Sequence, residues 1–113
     1  MSRIIITNSG SEFFTNISAE KFLGEICRDL GAKFYHVDYG SFETCSLAYS
    51  MTKDDTLYIT NKLKKLTKND DINVYYEKYN HFFGNDINIE EFKDALLYYA
   101  ELFEKSEGYN CVS

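Results

Sequence analysis

The chain has no proline, no tryptophan, only three cysteines and no long apolar run. Each absence excludes something. Cys27, Cys45 and Cys111 make an odd set without C-x-x-C spacing. That argues against a secreted disulfide framework and for a reducing compartment. The longest early apolar stretch, Ile4-Ile5-Ile6, is far too short for a signal peptide or a membrane span. The expected location is the cytoplasm of a bacterial host cell, with no membrane association. Asn16-Ile17-Ser18 fits a glycosylation acceptor, but nothing else points to secretion. Gly-rich phosphate cradles, oxyanion loops and spaced metal-ligand motifs are missing, so no cofactor, no metal and no enzymatic activity are expected.

Basic charge is also scarce. Twelve Lys and Arg face eighteen Asp and Glu, for a net charge of −6. Direct binding of DNA or RNA is therefore disfavoured, because neutralising phosphates takes a net basic face. The missing proline, frequent Asn and preference for Lys over Arg carry the coding bias of an AT-rich genome, as in low-GC bacteria, their phages and certain protists.

What is present is aromatic. Ten Tyr and nine Phe stand in 113 residues, more rings than one small interior holds, so some are expected at the surface. At this length, residues 1–113 form a single domain able to bury one core without disulfides or metals.

Residues 3–7 read as a short buried strand, and residues 8–16 as a loop anchored by Phe13 and Phe14. Ser18 suits a helix N-cap; Phe22, Leu23, Ile26, Cys27 and Leu30 follow at helical spacing, and Gly31 ends the helix. Residues 34–39 and 42–51 read as a β-hairpin through Gly40-Ser41. After a break at Asp54-Asp55, residues 56–63 and 72–77 alternate like a second hairpin across a charged turn, although residues 61–67 also fit a helical turn. Asn88 and Glu91 have capping-box spacing, Ile87 and Phe92 sit at staple positions, and Ile89, Phe92, Leu96, Tyr99 and Phe103 form one apolar stripe ending at Gly108. The expected fold class is α+β, in the order β-α-β-β-β-β-α, with two helices on one face of a mostly antiparallel sheet.

Charge is concentrated at the C-terminal end. From Asp86 onward there are seven acids against Lys93 and Lys105, which accounts for five of the six net negative charges. Lys62, Lys64, Lys65 and Lys68 form a basic patch elsewhere. Such an acidic helix is ordinarily a solvated surface, stabilised by its dipole and by pairs such as Glu101 with Lys105. It also suits docking on a basic surface, with carboxylates standing where phosphates would lie. The candidate partner-binding residues are Glu90, Glu91, Asp94, Tyr98, Glu101 and Glu104, with Tyr75 and Tyr79 as further contact anchors.

One constellation has chemistry in it. A turn at Gly40-Ser41 would place His36 across from Cys45 and Asp38 across from Glu43. That is the start of a thiol–imidazole pair or of a metal site. Phe34, Leu47 and Tyr49 share the face, so a core role for His36 and Cys45 is the simpler reading, free Cys being among the most buried residue types. His81, before Phe82 and Phe83, reads as a loop residue.

In size and acidity the chain looks like the small stoichiometric inhibitors of phages and bacterial toxin systems. The expectation is a protein that binds and inhibits a nucleic-acid-processing enzyme, in the manner of an anti-CRISPR protein. Two alternatives are an immunity protein for a cognate toxin and a small enzyme using Cys45 and His36. Homodimerisation through surplus Tyr and Phe is open.

Overall fold

Among the described residues, four amphipathic helices build the body of the protein. In the computed structural model, which describes residues 2–31, 35–37, 48–84 and 87–110, these are α1 (Ile17–Asp29), α2 (Lys53–Leu66), α3 (Ile72–Tyr79) and α4 (Ile89–Ser106). A 3-10 turn, Asn80–Phe83, continues α3. The expected α+β class, with two helices on a sheet, is overturned: the molecule is mostly helical. The core lies among the helices. Among the residues whose burial is described, Met51 is the one buried hydrophobic residue outside them.

The main error lies in residues 53–79. The expected strands 56–63 and 72–77 are helices α2 and α3. Alternation is a coincidence of composition here, because burial follows helical spacing: Thr56, Ile59, Thr60, Leu63 and Leu66 go inward, while Leu57 is 42% exposed. In α3, Ile72 and Tyr79 are buried, Tyr75 and Tyr76 pack beside them, and Val74 is 64% exposed. The expected break at Asp54-Asp55 is instead the first turn of α2. Thr52 and Asp55 form a reciprocal capping box there, and both acids lie at the positive end of the helix dipole.

Five short strands pair antiparallel in the order β2-β1-β5-β4-β3: β1 (Ser2–Thr7), β2 (Glu12–Asn16), β3 (Tyr35–Val37), β4 (Ala48–Met51) and β5 (Tyr109–Asn110). Residues 12–16, expected in a loop, are thus strand β2 in register with β1. α1 starts at Ile17, so Ser18 lies inside its first turn and is not the cap. Gly31, with φ +87°, ends that helix as expected.

The last turn of α4 is closed by another part of the chain. Glu107 takes a left-handed conformation, Ser9 Oγ donates to the Lys105 carbonyl at 2.6 Å, and the Asn8 and Ser9 amides donate to the Gly108 and Ser106 carbonyls at 2.9 Å. Carbonyls that a helix end leaves without partners are satisfied in this way by the β1–β2 turn. Gly108 is required there: its φ is +98°, and a Cβ would stand 2.8 Å from the Met51 carbonyl oxygen.

Candidate functional site

α4 is the element that presents the expected partner-binding residues, and its local sequence explains how. Asn88 accepts from the Glu91 amide at 2.9 Å, and Glu91 accepts from the Asn88 amide at 3.2 Å. Phe92, Leu96, Ala100, Phe103 and Ser106 turn inward. The opposite face therefore turns outward, carrying Glu90, Asp94, Tyr98 and Glu101, with Leu97 between them. Tyr98 is 55% exposed and Leu97 42%.

The six expected residues divide by task. Glu91 is engaged in the cap of its own helix. Glu104 reaches α2 and accepts from Lys64 Nζ at 3.0 Å, so it ties two helices together. Glu101 accepts from Lys105 at 2.7 Å, one turn away, and this bond holds its carboxyl below the usual range. Glu90 pairs loosely with Lys93 at 3.5 Å. Both pairs are exposed and worth little, so a competing cation displaces them readily. Asp94 has no ion pair among the described residues. The outward acidic face is thus Glu90, Asp94 and Glu101, around an unburied Leu97 and Tyr98.

Two expected anchors are placed otherwise. Tyr79 is 1% exposed, and Tyr75 is half-buried against it, with stacked rings 6.1 Å apart. Tyr79 belongs to a cluster that spacing does not reveal. Its hydroxyl donates to Asp29 Oδ2, which also accepts from Lys78 Nζ at 2.6 Å. The bond from Lys78, then that from Tyr79, lowers the Asp29 pKa. Burial, then the Asp29 carboxylate, pushes Tyr79 up to about 12. The cluster clamps the end of α1 to α3 across fifty residues of sequence.

The thiol–imidazole reading meets a different register. β3 pairs with β4 so that His36 lies opposite Tyr49, not Cys45. Cys45, Asp38, Glu43 and the Gly40-Ser41 turn lie outside the described residues. Cys27, the free thiol of α1, is fully buried, which raises its pKa. His81 is exposed in the 3-10 turn, with its ring 4.3 Å from that of Phe82. Among the described residues, no group of His, Cys, Asp and Glu is placed to hold a metal ion. No described helix is long and apolar enough to cross a membrane.

No protein-family profile, curated protein or solved structure matches the chain.

Proposed function

We infer that the protein binds and inhibits another protein through the outward face of α4, and that its target is a nucleic-acid-processing enzyme of the kind used in bacterial defence. The observation that carries this reading is the composition of that face: Glu90, Asp94 and Glu101 surround Leu97 and Tyr98, two large apolar side chains left in water. Acidic residues around an exposed aromatic anchor form a surface that fits a basic channel. The carboxylates supply complementary charge and steering, and the ring supplies buried area. Enzymes that process nucleic acids carry basic channels of this kind, lined to hold phosphates.

The test is a panel of purified restriction and CRISPR effector nucleases, assayed on DNA with and without the protein. Stoichiometric inhibition of one member is expected. The E90K/D94K/E101K variant, which spares the cap residue Glu91 and the α2 tie Glu104, should weaken that inhibition by at least about tenfold. Full inhibition by the variant would show that this face is not the binding surface.

A further inference from the structure

Ion pairing treats the acids of α4 and its end unequally. Glu90 pairs with Lys93, Glu101 with Lys105, Glu104 with Lys64 and Glu107 with Lys53. Glu91 caps its own helix. The Asp94 carboxylate has no hydrogen bond or ion pair among the described residues. The tyrosines divide in a similar way. Among the residues whose burial is described, two tyrosines are exposed, Tyr58 at 42% and Tyr98 at 55%. Lys62 lies over the Tyr58 ring, 5.4 Å from its centroid, whereas no cation lies over Tyr98 among the described residues. The Tyr98 ring meets that of Tyr99 in a T-shaped contact at 5.6 Å. Asp94 and Tyr98 have i,i+4 spacing in α4, which makes them neighbours on its surface, about 5–6 Å apart at Cβ.

We propose that Asp94 and Tyr98 together receive one arginine side chain of the partner protein. The inference rests on the reading of α4 as the inhibitory face, and it names the group that the target must present. A guanidinium is planar, so its face stacks on a phenol ring while its edge N–H groups bond a carboxylate. An ammonium is a compact point charge without that plane. The Asp29 cluster shows the same two groups satisfied from within: Lys78 bonds the carboxylate at 2.6 Å and stands 5.3 Å over the Tyr79 ring. At Asp94 and Tyr98 no described side chain fills that place. The surrounding charge favours a cation there. Glu90, Glu91, Asp94 and Glu101 share this stretch of helix with Lys93 and Lys105, and four acids against two lysines leave two net negative charges. Both lysines are already on carboxylates, at 3.5 Å and 2.7 Å. Leu97, 42% exposed and three residues on from Asp94, offers apolar surface to the methylene stem of an arginine.

The probes are hexa-arginine and hexa-lysine peptides of equal charge, titrated into the full chain and followed by NMR of the Tyr98 ring and the Asp94 amide. Hexa-arginine is expected to bind more tightly by about threefold or more. General attraction between a chain of net charge −6 and a cation is the same for both peptides, so it cannot produce the difference. Asp94→Asn and Tyr98→Leu should each remove the preference, while Tyr98→Trp keeps it because a ring remains. Both side chains are exposed, and circular dichroism checks that each variant is folded. Equal affinity for the two peptides, no binding of either at about 1 mM, or a preference that survives Asp94→Asn or Tyr98→Leu would each overturn the proposal. The outcome is separable from that of the nuclease panel. Inhibition lost in E90K/D94K/E101K, with no arginine preference in the wild type, removes this proposal alone. An arginine preference in a chain that inhibits none of the nucleases removes the inhibitory reading and keeps the arginine site.

Discussion

Phe22 meets the rings of Tyr79, Phe82, Phe83, Phe92 and Tyr99, with centroids 4.8 to 6.2 Å away. It is 1% exposed, so α3, the 3-10 turn and α4 all pack on this one side chain of α1. Truncation leaves a cavity that several rigid rings cannot jointly refill. Phe22→Ala should cost about 3–5 kcal/mol, measured by urea denaturation. The Asp29 cluster gives two pH windows instead. Asp29 is lowered when folded, so its contribution is full above about pH 4 and fades as the pH falls through its depressed value. Tyr79 is raised, so its contribution is full below pH 10 and is lost as the pH rises towards about 12. Burial also raises Tyr75 and Tyr99, so tyrosinate absorbance should show several late steps, of which Tyr79→Phe removes the one at about pH 12. If the variant keeps that late step, the assignment is wrong. Neither Phe22 as the hub nor Asp29 as the partner of Tyr79 is visible in sequence, because both join segments far apart in the chain. Only the helical spacing that buries Phe22 can be read there.

Among the elements, α4 is the most legible, since its cap, its staple and its stripe agree with one another. α2 and α3 are less so. Their β-branched and aromatic residues fall at alternating positions, and the outward Leu57 and Val74 complete a false period of two. The contrary signal was Thr52-x-x-Asp55, a capping box with Asp in place of the usual Glu or Gln. Thr52→Ala and Asn88→Ala should therefore each destabilise the protein by about 1 kcal/mol, checked by thermal or chemical denaturation. At the other end of α4, Gly108→Ala forces a Cβ against the Met51 carbonyl at a positive φ. A loss of about 1–3 kcal/mol is expected. That join between α4 and the β1–β2 turn is illegible in sequence, because Gly108 reads only as a helix stop.

For the whole molecule, polarity of charge is the legible feature and architecture is not. Composition alone places the negative charge on the terminal helix and a small basic cluster near residue 65. Folding then assigns tasks that composition does not distinguish. Glu91 and Glu104 serve the fold, while Glu90, Asp94 and Glu101 face outward beside Leu97 and Tyr98. These three acids are the surface proposed to engage a basic partner. The most direct measurement is the salt dependence of the dissociation constant for the nuclease proposed as the protein's target. Complementary charge predicts that affinity falls steeply with added salt for the wild type, and that E90Q/D94N/E101Q binds more weakly with a shallower dependence. An unchanged affinity and an unchanged salt dependence in that variant would contradict the claim.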